Sequence, residues 1–104
     1  MRLWMVPPSK MCRKHLLGEH VECHMFVGCI LKRKSLSGYV SRGLVEIHNI
    51  ERRHDLLARE LARRGYNHKT PLKKFVPWRE GRIDREAARA DLAGRCVDCK
   101  MRGV

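Results

Sequence analysis

Apolar residues in the first third of the chain fall at three- and four-residue steps. Leu16, Leu17, Val21, Val27, Ile30 and Leu31 recur in this way, which marks the core-facing stripe of an amphipathic helix. Pro7-Pro8 followed by Ser9 is an entry signal with Ser9 as N-cap, and no proline interrupts the run to about Lys34. The pattern predicts one long first helix of roughly 25 residues, about 38 Å at ~1.5 Å per residue. Its basic end, Lys32-Arg33-Lys34, suits the negative pole of the helix dipole.

A loop with Gly38 and Gly43 follows, and Asn49 then caps a second helix carrying Ile50, Leu57 and Leu61 on one face. Gly65, after Arg63-Arg64, supplies the left-handed position that ends it. Tyr66 to Gly81, with Pro71 and Pro77, reads as a surface connection. Asp84 caps a third helix from Arg85 to about Ala93, and the remainder reads as a basic tail without order. No alternating strand pattern and no internal repeat occurs. The expectation is an all-α, compact three-helix bundle with a long first helix and an extended N-terminal segment, a single domain over 1–104.

Size makes that core thin: a chain of 104 residues buries only roughly 60–65% of the surface its unfolded form exposes. Charge changes the picture more. Lys+Arg number 23 against 11 Asp+Glu, a net charge of +12, and such a surplus favours a polyanion, nucleic acid above all. The basic residues are spread along the whole chain rather than gathered on one amphipathic helix, which disfavours a membrane surface. No apolar run approaches the roughly 18–20 residues of a membrane span. The start, MRLWMVPPSK, lacks the apolar stretch and cleavage site of a signal peptide, so a cytoplasmic protein is expected.

The five cysteines, Cys12, Cys23, Cys29, Cys96 and Cys99, are an odd number, which fits reduced thiols. Cys96 and Cys99 have the spacing of half a zinc site, and a second half could come from Cys12, Cys23 or a histidine. Packed or accessible thiols are the competing reading.

The stretch KHLLGEHVECH, residues 14 to 24, concentrates polar chemistry. On a helix His15, Glu19 and Glu22 share one face, and His20 and His24 fall on a neighbouring one. The run lacks the H-E-x-x-H order of a metalloprotease. A solvated polar stripe is the ordinary reading of such a face. Against it, Glu19 and Glu22 are acidic groups in a molecule of net charge +12, where they would repel a polyanion. A carboxylate acting on nucleic acid, moving protons or stabilising a cationic intermediate, gives them a purpose.

Met1-Arg2-Leu3, the segment His15-Leu16-Leu17-Gly18-Glu19-His20-Val21-Glu22 with Phe26 and Gly28 following, and Arg63-Arg64-Gly65-Tyr66-Asn67-His68-Lys69 resemble the pyrimidine-dimer DNA glycosylase/AP lyase family, the phage endonuclease V type. The resemblance covers residues 1 to about 72. It implies a DNA repair enzyme in which the α-amine, here on Met1 before Arg2, attacks deoxyribose C1′ of a damaged nucleotide. The base leaves, and a Schiff base forms and decays by β-elimination. It places the family's catalytic glutamate on Glu22 and its upstream histidine on His15. An α-amine ordinarily titrates near about 7.7–8.0, so part of it is neutral near neutral pH, and a cation such as Arg2 beside it disfavours protonation further.

The implied partner is double-stranded DNA carrying a damaged base or an abasic site, engaged by a monomer, with no membrane role, cofactor or metal in the reaction. Where the phage-type enzymes carry arginines near the glutamate, this chain has Val21 and Met25, and the family's aromatic C-terminal tail is absent. Arg13, Lys14, Lys32, Arg33, Lys73 and Lys74 are the expected phosphate contacts. Trp78, beside Lys73, Lys74, Phe75 and Arg79, either stacks on an exposed base or covers the thin core. A non-catalytic nucleic-acid-binding module, zinc-stabilised through Cys96 and Cys99, is the alternative function.

Overall fold

A computed structural model describes residues 1–67 and 70–104 of the chain; His68 and Lys69, which close the third motif, lie outside the described residues. The fold is all-α, with no strand among the described residues. Its helices are α1 (Arg13–Leu31), α2 (Ser37–Ser41), α3 (Ile50–Arg63), α4 (Arg85–Arg95) and α5 (Val97–Met101), with 3₁₀ turns at Pro8–Lys10 and Ile47–Asn49. The three long helices are those expected, and two short ones add to them.

The first helix is shorter than its pattern implies, 19 residues rather than roughly 25. Ser9 does not cap it. Residues 8–10 form a separate 3₁₀ turn, Met11 is extended and fully buried, and Cys12 takes the cap position, its sulfur accepting from the His15 N–H at 3.5 Å. At the other end Arg33 adopts a left-handed conformation (φ 57°), and the Lys34 N–H returns to the Cys29 carbonyl at 2.9 Å. This closure satisfies carbonyls that the last turn leaves open.

The buried stripe of α1 also differs from the apolar pattern. Leu16, Glu19, His20, Cys23, Phe26 and Val27 face inward, whereas Val21 and Leu31 are 51% and 48% exposed. On α3 the inward face is Ile50, Arg53, His54, Leu57, Glu60 and Leu61. Polar groups therefore occupy core positions on both members of the central α1–α3 pair, and they can do so because they meet one another. Arg53 forms a two-pronged bond to the Glu19 carboxylate (Nε to Oε2, and Nη2 to Oε1 at 3.0 Å), and its Nη1 donates to the Val6 carbonyl at 2.8 Å.

The caps at Asn49 and Asp84 stand at the expected positions, with different chemistry. The Asp84 carboxylate accepts from the Ala87 N–H at 3.0 Å, whereas the Asn49 side chain donates to Glu46 at 2.7 Å rather than capping α3. Gly65 has φ 89°, as its C-terminal role requires. The connection from Tyr66 to Asp84 has no regular structure among the described residues, and its far end is fixed to the body. Ile47 N–H bonds to the Glu80 carbonyl at 2.9 Å, and Gly81 (φ 93°) passes so close to Val45 that an added Cβ would lie 2.1 Å from its carbonyl oxygen. Within this connection Phe75 packs on the core, whereas Trp78 is about half exposed, its Nε1 donating to Glu80 at 3.0 Å.

The C-terminal residues, expected to be an unordered tail, form α5. Cys96 caps it through its sulfur, and Cys99 and Val104 are buried. The N-terminal segment is extended as expected. Leu3, Trp4 and Val6 are buried, and the Leu3 N–H bonds to the Leu44 carbonyl at 2.8 Å. That anchoring brings the chain start back across α1.

Candidate active site

Glu22 lies in the middle of α1 on the side facing the N-terminal segment. Its Oε1 stands 3.8 Å from the Met1 α-nitrogen, and the Arg2 backbone amide nearby helps to hold the carboxylate's charge. Both groups line an open cavity of about 470 Å³, together with Lys14, His15, Gly18, Glu19, Leu44 and Arg95. A Cβ on Gly18 would meet nothing within 4 Å, so this glycine leaves room in the cavity wall. Burial pushes the Glu22 carboxyl above its ordinary value; the Met1 ammonium pulls it back and the Glu19 charge pushes it further up. Such a carboxyl holds a proton more readily than a solvated one, which suits proton exchange.

Of the expected catalytic residues, the structure brings together Met1 and Glu22. Arg2 takes part through its backbone, while its guanidinium turns away to stack over Trp4 at 3.9 Å and pair with Asp91 on α4 at 3.2 Å. His15 lines the cavity, yet its Nδ1 faces sulfur, 3.2 Å from Cys12 and 3.7 Å from Cys99, and Trp4 packs edge-on against its ring. Burial, then the charge of Lys14, lowers its pKa and favours the neutral imidazole. Glu19, its carboxylate committed to Arg53, contributes to the cavity as a buried neighbour.

The expected phosphate contacts are all exposed but dispersed. Lys14 lines the cavity, and Arg13 next to it lies over the Tyr66 ring at 5.4 Å. Lys32 and Arg33 follow the far end of α1, about 27 Å along the axis from Lys14. Lys73 and Lys74 border a separate groove with Glu51, His54 and Asp55. Trp4, Gly18 and Arg95 belong to the cavity and were not expected there. Arg95 falls beyond the helix end that the pattern suggested, so no sequence signal pointed to it. Arg53 did leave a signal, because it stands among Ile50, Leu57 and Leu61 at helical steps that a solvated arginine would avoid.

Among the described residues, two side-chain clusters could hold a metal. One is Cys12, His15, Cys96 and Cys99, the other His20, His24 and His54; in each the donor atoms lie within 4.8 Å of one another. In the histidine cluster the Nε2 atoms of His54 and His24 are 3.2 Å apart, and the Asp55 carboxylate accepts at His54 Nδ1, 3.0 Å away. Burial first, then His54, lowers the pKa of His24.

Residues 1–74 match the family model described as pyrimidine dimer DNA glycosylase. The match covers most of the chain, and the protein belongs to that family. No curated protein and no solved structure matches it.

Proposed function

We propose that this member of the pyrimidine dimer DNA glycosylase family excises a damaged base with its own α-amine and then cleaves the strand as an AP lyase. The observation that carries this reading is the approach of the Met1 α-nitrogen to Glu22 in the wall of one open cavity. In the proposed sequence the neutral amine donates its lone pair to C1′. The glycosidic bond breaks, and its electron pair leaves with the base, which takes up a proton. Loss of a proton from the new C1′–N linkage, with protonation of O4′ and opening of the ring, gives the imine. Removal of a C2′ proton then expels the 3′ phosphate.

Glu22 is suited to two tasks here. Ionised, it stabilises the cationic sugar; as a partly buried carboxyl with a raised pKa, it exchanges protons with the amine and the ring oxygen. The basic surface supplies the grip. Of the exposed cations, Lys14 lines the cavity, which supports its contact with a phosphate next to the bound sugar; in this reading Lys32, Arg33, Lys73 and Lys74 extend the contact. Neutralising several phosphates makes affinity fall by orders of magnitude between low and physiological salt. The test is incubation with defined duplexes: one with a cyclobutane dimer, one with an abasic site, one undamaged. Cleavage of the first two and not the third is expected. Salt-sensitive binding without cleavage of any duplex would leave a binding module instead.

A further inference from the structure

We propose that Cys12, His15, Cys96 and Cys99 form a structural zinc site that clamps the C-terminal helix α5 onto the first turn of α1. The donor set is Cys₃His, one of the combinations that zinc takes in closed tetrahedral sites. Zinc–sulfur bonds of about 2.3 Å and zinc–nitrogen bonds of about 2.0–2.1 Å place two sulfurs about 3.8 Å apart on a tetrahedron, and a sulfur and a nitrogen about 3.6 Å apart. The Cys12 and Cys96 sulfurs are 3.7 Å apart, too far for a disulfide. His15 Nδ1 lies 3.2 Å from the Cys12 sulfur and 3.7 Å from that of Cys99. These separations are close to the edges of a coordination tetrahedron.

Backbone amides support all three sulfurs. The Cys12 N–H donates to the Cys99 sulfur at 3.2 Å, the Cys99 N–H to the Cys96 sulfur at 3.4 Å and the His15 N–H to the Cys12 sulfur at 3.5 Å. Each sulfur thus receives an amide donor, the outer support that metal-bound thiolates use. The four residues come in two local pairs, Cys12 with His15 on α1 and Cys96 with Cys99 on α5, which is the spacing of zinc ligands drawn from two turns. Four protein donors leave no open position, so the role is structural. Cys96 and Cys99 lie outside residues 1–74, the part that matches the family model. The site therefore fastens this chain's own C-terminal segment to the turn carrying Lys14 and His15, both of which line the cavity. Of the two readings the sequence left open at Cys96 and Cys99, zinc ligands or packed thiols, the proposal takes the first and draws its second half from Cys12 and His15.

The test uses the full-length protein purified without chelator. One zinc per chain by elemental analysis is expected, and cobalt in its place should give the intense visible bands and thiolate charge-transfer absorption of a tetrahedral sulfur site. Removing the metal should lower the melting temperature by at least about 10 °C. Cys96→Ser and Cys99→Ser should lose the metal, while Cys29→Ser and His24→Ala keep it. Three results would overturn the proposal: a metal-free wild type that does not take up zinc, a denatured chain titrating fewer than five thiols because a disulfide has formed, or zinc that survives Cys96→Ser with Cys99→Ser and is lost in His24→Ala. The wild-type stoichiometry and cobalt spectrum decide the matter even where a variant does not fold.

Discussion

Glu19 and Glu22 are the same side chain, three residues apart on one helix, and the fold gives them opposite surroundings. Glu19 has a side-chain exposure of 0% and is held by Arg53; Glu22 keeps 27% and faces the Met1 amine across 3.8 Å. What separates them is the partner across the helix. Arg53 on α3 meets Glu19 with two donors and spends a third on the Val6 carbonyl, which fixes the N-terminal segment beside α1. The buried pair thus positions the chain start, and the open carboxylate faces it. A buried ion pair is weak evidence of net stabilisation, since desolvation offsets much of the attraction, but breaking one leaves an uncompensated charge.

Substitutions should separate the two roles. Glu22→Gln keeps shape and removes charge, so the protein should fold and bind DNA while base release falls about 10²–10⁴-fold. Single-turnover rates with a melting curve check this, and a wild-type rate would end the comparison. Glu19→Gln should slow chemistry much less. The effect of breaking its pair should appear in stability: Arg53→Ala is expected to lower the unfolding free energy by about 3–5 kcal/mol, read by denaturant titration.

That contrast was only partly legible in the sequence. The three main helices, the Gly65 stop and the Asp84 cap followed from spacing and local chemistry, because those signals act within a few residues. The resemblance picked out Glu22 and Met1, although nothing local says that the chain start returns to α1. The stripe on α1 misled for a physical reason. Apolar spacing selects Val21 and Leu31, but the buried lattice runs through Glu19 and His20, which meet Arg53 and the His54 ring across the interface. A polar core is invisible to a pattern that equates burial with apolarity. The C-terminal tail failed similarly: α5 is held by sulfur contacts to Cys12 and His15, more than eighty residues away in the chain.

Smaller effects sharpen the comparison further. Gly18 stands one turn before Glu22 in the cavity wall, so Gly18→Leu should fill the space and weaken substrate entry by about tenfold or more. Gly18→Ala should stabilise α1 by about 0.5–1 kcal/mol through helix propensity. The pH profile probes the coupling between the two carboxylates. Burial and the Glu19 charge both raise the Glu22 pKa, so the acid limb of the base-release rate should have its midpoint above the ordinary carboxylate value. Glu19→Gln removes the repulsion and should move that midpoint down. An upward shift would contradict the sign.

The central claim is that the Met1 amine forms the covalent bond to the sugar. Its most direct test is borohydride reduction during turnover on a dimer-containing duplex, followed by proteolysis and mass mapping of the trapped nucleotide. The account predicts the adduct on the α-nitrogen of Met1, and its loss when an extension ahead of Met1 turns that amine into an amide. An adduct on a lysine such as Lys14, formed at the wild-type rate in the extended protein, would contradict it.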